Sequence, residues 1–285
     1  MQVFDLDAKK KVSSITLTDD VGAVTFWCWI DDETIALITE TDVFHWNVNA
    51  INDNNNGDDD NNGASSGISS DGLQHIFNRS DDMDGVQILS YNTDKDKCWL
   101  MLCGIGRGVD GTLTGKTLLH STENGASRVL DGHAGAFVSM PTPDDPRPSN
   151  IMCLAWNDAT AGGSGSGIGH LLIMELPTES KPDPSIGRQH IVIPFSSQHD
   201  FPVAVGISPE RKHITVVSSR GSAVVVDVFS GSTIASNENI LAKSEGGGVI
   251  FGGTCCCESG GIVCVGSSGS VLRVSTPPGD SALEE

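Results

Sequence analysis

The chain has 285 residues and a formal net charge of −20, from 17 Lys and Arg against 37 Asp and Glu. Nucleic acids and anionic membranes bind clustered positive charge, so this balance argues against both as partners. No apolar run approaches the roughly 18 to 20 residues of a membrane-crossing helix. In the N-terminal segment MQVFDLDAKKK the charges follow a short apolar stretch, unlike those of a secretory signal. We therefore expect a soluble intracellular protein without direct membrane insertion.

The eight cysteines favour the same compartment. Most lie in apolar, strand-like runs such as CWLMLC from Cys98 and IMCLAW from Ile151, and no two of them have CxxC spacing. The triple cysteine that begins at Cys255 has no His at zinc-finger spacing. We predict reduced thiols that pack as small apolar side chains, with a metal site at the triple as the alternative.

Short β-rich runs follow one another along the chain, each bounded by Gly, Asn, Asp, Ser or Pro. They begin at Thr34, Val43, Cys98, Lys116, Ile151, His170, His213, Ala223, Gly261 and Ser270. The runs come in pairs that recur every ~50 residues, which is typical of a propeller with four strands per blade. An immunoglobulin-like sandwich is the structural rival, but it would have more even strand spacing and a shorter chain. The predicted fold class is all-β, a β-propeller of four-stranded blades.

One low-complexity insert follows the first pair of runs. Residues 49–71 are almost entirely Asn, Asp, Gly and Ser, and we predict disorder because such a composition cannot bury apolar surface. Within the insert, the sequence from Asp58 fits the first half of a calcium-binding loop. Ser69 stands at the twelfth position, where that loop needs a bidentate Glu. Low-complexity sequence is the favoured interpretation.

Other motif matches are incomplete. GTLTGKT from Gly111 resembles a phosphate-binding loop, but Asp110 stands where the first Gly belongs, and the residues that follow predict a strand rather than a helix. The glycine-rich run from Gly162 never satisfies GxGxxG and predicts a flexible loop. His45 and His133 have no acidic or Cys partner at short spacing. The residues therefore predict a protein that is not an enzyme and holds no cofactor or metal.

Two features near the N-terminus have competing interpretations. The aromatic run VTFWCWI from Val24 is predicted to be core, because most of the Trp residues must be buried or half-buried. Lys9, Lys10 and Lys11 form a basic spot on a very acidic chain. A solvated hairpin turn is the ordinary interpretation of these lysines, and a contact with an acidic partner is the functional one.

Five segments, in this order, carry a resemblance to a known family. They are MQVFDLDAKKKV from Met1, TDDVGAVTFWCWIDDETIALITETDVFHW from Thr18, GVQILSYNTDKDKCWLMLCGI from Gly85, LDGHAGAF from Leu130 and QHDFPVAVGIS from Gln198. Together they resemble the N-terminal β-propeller domain of the clathrin heavy chain family. The resemblance extends over residues 1 to about 274 apart from the loops. Several long segments in one order are far more specific than a single motif.

The resemblance implies a domain organisation. The family propeller has seven blades, and about five to six are expected here, in residues 1–275, without the first blade and the opening of the second. Residues 276–285 would lead toward the helical linker and the α-solenoid leg. The chain departs from the family pattern at Gly22 and Ala23, in the acidic insert, and in the stretch around Cys255.

The resemblance also implies a function. Family members are structural components of the clathrin coat in endocytosis and vesicle-mediated transport, and are found in the cytoplasm on coated vesicles and coated pits. Their propeller binds short linear peptides of adaptor proteins, such as the acidic, leucine-rich clathrin box. Trimerisation and light-chain binding belong to regions outside this sequence. The alternative is a degenerate propeller scaffold for protein–protein interaction with no role in a coat.

Four residues match the clathrin-box groove of the family. Gln2 and Phe4 lie on alternate positions of one strand and so project from the same face. Lys9 and Lys11 are expected to do the same and to attract the acidic positions of a peptide. The opposite wall of this groove belongs to the first blade, so the resemblance implies only half a groove and weak binding.

A second peptide site of the family lies in its central cavity. It uses a Gln, an aliphatic residue two positions later and an Ile on the next strand. Gln87, Leu89 and Ile105 match these three positions. Such sites are individually weak, and avidity from many propellers in one coat would supply the affinity.

A third peptide site of the family lies in the groove between blades four and five. Its Trp and Leu are matched by Trp99 and Leu119. Asn124 stands where the family has an Arg, and Arg128 stands where it has a Gln. The resemblance therefore implies an altered version of this site.

Overall fold

The computed structural model describes residues 1–19, 21–50, 72–108, 111–142, 145–158, 167–185, 187–195, 197, 199–238, 240, 249–256, 261–267 and 269–275. The calcium-loop match, nearly all of the predicted insert, most of the glycine-rich run and the C-terminal tail lie outside these residues. The described residues form 21 β-strands and one short 3₁₀ turn, with no α-helix among them. The all-β prediction is confirmed. No helix in the described part of the chain is long and apolar enough to cross a membrane.

The chain divides into two compact units, of which the first is Met1–Asp84. It contains a two-stranded hairpin, β1–β2, and a four-stranded antiparallel sheet in the order β3-β4-β5-β6. The strands are β1 (Gln2–Asp5), β2 (Lys10–Ser14), β3 (Phe26–Trp29), β4 (Thr34–Ile38), β5 (Asp42–Asn47) and β6 (Leu73–Asn78), followed by the 3₁₀ turn Asp81–Met83. The core of this unit is formed by Ile15, Ile35, Leu37, Trp46 and Val48.

The second unit, Gly85–Glu285, contains four further antiparallel sheets. The first has strands β7 (Gln87–Thr93), β8 (Trp99–Arg107), β9 (Leu113–Ser121) and β10 (Ser127–Asp131). The second has β11 (Ala134–Thr142), β12 (Asp145–Asp158), β13 (Gly167–Leu176) and β14 (Gln189–Phe195). The third has β15 (Pro202–Ile207), β16 (His213–Ser218), β17 (Ala223–Asp227) and β18 (Thr233–Asn237). The fourth has β19 (Ile250–Cys256), β20 (Gly261–Gly266) and β21 (Val271–Ser275).

In every sheet, strands that are consecutive in the chain are paired, so each sheet is a simple meander. Within the second unit the first strands of the sheets are neighbours: β11 contacts β7 and β15, and β19 contacts β15 and β7. This is the arrangement that propeller blades adopt around their inner strands. Strand β9 runs through the phosphate-loop match, which agrees with the prediction of a strand there.

Alternate residues of one strand pack into two different cores, which explains why the second strand of each sheet is apolar on both faces. On β12, Ile151 and Cys153 pack toward the sheet β15–β18, whereas Met152 and Leu154 pack toward the sheet β7–β10. On β16, Val216 and its successor Val217 likewise belong to separate cores. The second unit is therefore held together by layers of side chains between successive sheets.

The aromatic run at the start of β3 differs from its prediction. Trp27 and Trp29 are 55% and 46% exposed, whereas the alternate residues Phe26 and Cys28 are half-buried. Strand β3 is at the edge of its sheet and pairs only with β4 among the described strands. An edge strand has fewer neighbours to cover its side chains, so the two indoles are not core.

A buried ion pair lies at the end of β13. The Nζ atom of Lys181 is 2.9 Å from Oε1 of Glu175, and both side chains are at most 5% exposed. Lys181 also donates hydrogen bonds to the hydroxyl oxygens of Ser149, at 2.6 Å, and Ser185, at 2.9 Å. The backbone N–H of Ser185 donates to Oε2 of Glu175 at 2.6 Å. This network anchors the loop that leaves β13.

A buried histidine lies just before β11. His133 is 3% exposed and stacks on Phe201, with ring centroids 5.4 Å apart. Neither of its ring nitrogens has a hydrogen-bond partner within the described part of the chain. Burial lowers the pKa of His133 from its ordinary 6.5 to about 4, so the ring is neutral at pH 7.

We predict that Lys181→Met destabilises the protein by about 3 to 5 kcal/mol, because it leaves the carboxylate of Glu175 buried without its counter-charge. The free energy of unfolding should be measured by urea titration. Lys212→Met, at an exposed lysine, is the matched control and should change stability by less than ~0.5 kcal/mol. Adding Glu175→Leu to Lys181→Met should restore much of the loss. If Lys181→Met alone were as stable as the parent chain, the ion pair would not have the stabilising role proposed here.

We predict that His133 makes the protein less stable as the pH falls from about 6.5 to about 4. In this window the unfolded chain binds a proton at His133 and the folded chain does not, so stability is complete above it and decreases with decreasing pH. The loss over the window is about 3 kcal/mol. Comparing urea unfolding of the parent and His133→Phe at several pH values measures it, since Phe keeps the stacking but cannot titrate. The parent should lose more stability than the variant, whereas His75→Gln, at an exposed histidine, should behave as the parent.

Candidate functional site

The β1–β2 hairpin carries the residues expected to contact a peptide. Its four-residue loop begins after Asp5, whose Oδ1 accepts a hydrogen bond from the backbone N–H of Ala8 at 2.8 Å. Lys9 closes the loop with a φ of 50°, in the left-handed region. This is the local chemistry of a tight antiparallel turn, in which an Asp bonds to a nearby backbone N–H.

The strand register brings two of the expected residues together. Phe4 lies directly opposite Lys11, and Gln2 lies opposite Ser14. The Nζ atom of Lys11 donates a hydrogen bond to the hydroxyl of Ser14 at 3.2 Å. The expected alternation of Lys9 with Lys11 on one strand face is not found, because Lys9 lies in the turn and only Lys11 lies on β2.

The hairpin surface combines apolar and basic groups. Phe4 is 56% exposed and Leu6 is 85% exposed, and Lys9, Lys10 and Lys11 are exposed as well. Among the described strands β1 and β2 pair only with each other, so each has an outer edge of backbone N–H and C=O groups. Such an edge can accept an added strand. The surface therefore offers backbone hydrogen bonds, apolar contact and positive charge within one hairpin.

The residues matched to a central-cavity site lie on β7 and β8. Gln87 is exposed and lies directly opposite the half-buried Ile105. Leu89 lies at a β-bulge, because the register shifts between Ile88 and Ser90. The structure thus brings Gln87 and Ile105 together and places Leu89 at the irregularity beside them. Gly104 is required here, since a Cβ at this position would lie 2.5 Å from the carbonyl oxygen of Gln87.

The residues matched to the third peptide site have different environments. Leu119 is buried between the sheets β7–β10 and β11–β14, so its contribution is to packing. The indole N–H of Trp99 donates to the carbonyl oxygen of Pro177 at 2.8 Å. Arg128 is exposed on β10 opposite Leu119, and the side-chain oxygen of Asn124 accepts from the N–H of Ala126 at 2.9 Å in the turn after β9.

Sequence reasoning missed the loop that completes this region. Oε2 of Glu123 accepts a hydrogen bond from the backbone N–H of Glu179 at 2.9 Å, beside the Trp99 contact with Pro177. Lys181 anchors the end of the same loop through its ion pair. These partners are far apart in the chain, so no local motif could have indicated them.

The described cysteines fit the predicted role of small apolar side chains. Cys103, Cys153 and Cys264 are buried free thiols. Burial raises the pKa of Cys153 to about 12 and that of Cys103 to about 11, so both are protonated at neutral pH. Side chains in the triple cysteine lie outside the described residues. Within the part of the chain that the structure describes, no group of three or more His, Cys, Asp and Glu side chains is placed to hold a metal.

Comparison with solved structures shows the fold. No family model matches the chain. The β-propeller domain of Cps50 (Swd1) from Myceliophteria thermophila superposes with a TM-score of 0.52, at 10% identity, over 93% of this chain and 68% of that one. This similarity confirms the predicted β-propeller fold and carries no information on function.

Comparison with curated proteins identifies relatives. The chain is 28% identical over 281 residues to a probable clathrin heavy chain 1 of Caenorhabditis elegans and 28% identical over 275 residues to the clathrin heavy chain of Drosophila melanogaster. It is 28% identical over 279 residues to a probable clathrin heavy chain of Schizosaccharomyces pombe. These matches cover 96%, 96% and 98% of this chain but only 14% of each relative. The chain is therefore similar to clathrin heavy chains along about one seventh of their length, and it has a β-propeller fold.

Proposed function

We propose that the chain serves as a non-enzymatic structural part of a clathrin coat and binds short acidic, leucine-rich segments of adaptor proteins. The observation that carries the peptide site is the pairing of the exposed Phe4 with Lys11 on a hairpin that also presents Lys9 in its turn and Lys10 at the start of β2. The proposed setting is the cytoplasmic surface of coated vesicles and coated pits, in endocytosis and vesicle transport. The similarity to clathrin heavy chains supports both parts of the proposal.

The hairpin provides three kinds of interaction for an extended peptide. The backbone of the peptide adds to the open edge of the hairpin, and its alternate side chains then lie on one face. Leucines contact Phe4, with Gln2 beside it on the same strand. Acidic side chains pair with Lys9 and Lys11. Because these lysines are exposed, each ion pair contributes at most about 1 kcal/mol, so a single site binds weakly and many copies in a coat supply avidity.

The other two matched groups are proposed as secondary peptide contacts. Gln87 and Ile105 form an adjacent pair with Leu89 at the bulge. In the third group, Arg128 and Asn124 are exposed, and the indole N–H of Trp99 donates to the carbonyl oxygen of Pro177. We further propose that residues 1–275 belong to one propeller domain.

We predict that reversing the charge of Lys9 and Lys11 abolishes peptide binding. A fluorescein-labelled acidic, leucine-rich peptide is titrated with the full chain, and fluorescence anisotropy is measured at low and at physiological salt. The parent should bind saturably and more weakly as salt increases, because the lysines attract the acidic residues of the peptide. Lys9→Glu with Lys11→Glu should not bind. Arg211→Glu with Lys212→Glu makes the same change in net charge elsewhere and should bind as the parent does. Equal binding by both double variants, or no binding by the parent, would contradict the site.

We predict that Phe4→Ala weakens binding of the same peptide about tenfold, which corresponds to about 1.4 kcal/mol of binding free energy from lost apolar contact. Calorimetric titration measures the dissociation constant. Phe229→Ala is the matched control, because Phe229 is also an exposed phenylalanine, 64% accessible, but lies in the turn after β17. If Phe4→Ala and Phe229→Ala bind alike, the apolar side of the peptide does not contact β1.

A further inference from the structure

A cluster of three aromatic rings lies across β12, β13 and β14, and none of the three was discussed as a peptide contact. Nδ1 of His170 and Nε2 of His190 are 3.0 Å apart. Trp156 stacks on both imidazoles, with ring centroids 5.1 Å from His170 and 5.5 Å from His190. The planes of Trp156 and His190 are 2° from parallel. The two histidines therefore direct nitrogen atoms toward each other over a common indole.

The sheet holds these rings in place. Trp156 lies directly opposite His170, and His190 lies opposite Leu172, two residues along β13 from His170. All four side chains consequently belong to one face of the sheet. On that face Trp156 and Leu172 pack against the core between the sheets β7–β10 and β11–β14. Groups held on neighbouring strands with a packed core behind them are well suited to binding a small ligand.

The environment of the histidines leaves their facing nitrogens suited to a cation. The His190 side chain is exposed and that of His170 is 13% exposed, so the pair is reached from solvent on one side. The carboxylate of Asp158 lies 4.0 Å from Nε2 of His170. A carboxylate near one ring nitrogen favours the proton on that nitrogen, which leaves a lone pair on the other one. Nδ1 of His170, which faces His190, is that other nitrogen.

We propose that His170 and His190 chelate a divalent late transition-metal cation, with Cu²⁺ as the preferred ion. Two imidazole nitrogens bonded at about 2.0 Å are about 2.8 Å apart at a right angle and about 3.3 Å apart in a tetrahedron. The observed separation of 3.0 Å lies between these values. The cation takes the place of the hydrogen bond between the rings. When Nε2 of His190 binds the metal, the neutral ring carries its proton on Nδ1.

The preference for copper follows from the ligands. Neutral imidazole binds Cu²⁺ more strongly than Zn²⁺ or Ni²⁺ under the general order of divalent stabilities. Two adjacent nitrogens supply neighbouring corners of a tetragonal site, and water completes it. A site with only two protein ligands binds reversibly and exchanges its metal. The proposal does not rest on the peptide-binding function, since neither His170 nor His190 is among the proposed peptide contacts.

Titrating the full chain with Cu²⁺ in a non-chelating buffer tests the proposal. Calorimetry should show a site of one Cu²⁺ per chain, and paramagnetic resonance should show splitting by nitrogen ligands. Trp156 is a built-in reporter, because a bound Cu²⁺ beside its ring should quench its emission. The Trp156→Phe variant should keep the binding stoichiometry and lose this quenching. Zn²⁺ and Ni²⁺ should bind more weakly than Cu²⁺, and tighter binding of Zn²⁺ would overturn the assignment to copper.

Matched histidine variants decide whether the pair is the site. His170→Asn and His190→Asn should each weaken this Cu²⁺ site at least about tenfold, while His75→Asn, at an exposed histidine in the first unit, should leave it unchanged. Asp158→Asn should weaken it less than either change, because Asp158 only orients His170. Circular dichroism confirms that each variant is folded. An unchanged site in the double variant His170→Asn with His190→Asn, or no saturable site in the parent, would overturn the proposal.

Discussion

Packing between successive β meanders through strands that are buried on both faces is the constraint on which the second unit depends. A strand such as β12 sends Ile151 into one core and its neighbour Met152 into another. Neither core exists unless two sheets approach each other. The same arrangement on β16 links the third sheet to the second and the fourth. Apolar burial therefore couples the sheets and leaves turns and strand ends as the places where polar groups can act.

The polar networks follow from this constraint. Lys181 and Glu175 form their ion pair at the end of β13. The pair anchors the loop in which the carbonyl oxygen of Pro177 accepts a hydrogen bond from the indole N–H of Trp99. His133 lies deeper and remains neutral because its burial lowers its pKa. The exposed functional candidates lie at the periphery instead. Phe4 and Lys11 of the hairpin are exposed, and so is His190 of the ring cluster around Trp156.

Comparison of prediction with structure shows where local sequence information ends. The all-β class was predictable because strand runs and turn residues are local signals, and β8, β9, β12 and β13 arise from such runs. The place of Lys9 in the turn was not predictable, because the length of the hairpin loop decides which lysines lie on the strand. The sequence also predicted Trp27 and Trp29 to be core, whereas their place on an edge strand leaves them exposed.

Local signals in the sequence were enough to predict the all-β class and the recurring strand pairs, and the sequence also carries the acidic character and the similarity to clathrin heavy chains. Which side chains meet depends on the tertiary structure. His170 and His190 are 20 residues apart in the sequence, and Glu123 and Glu179 are 56 apart. Strand register and sheet packing bring such pairs within bonding distance. Because a register depends on the whole sheet rather than on neighbouring residues, no pattern in the chain records these contacts.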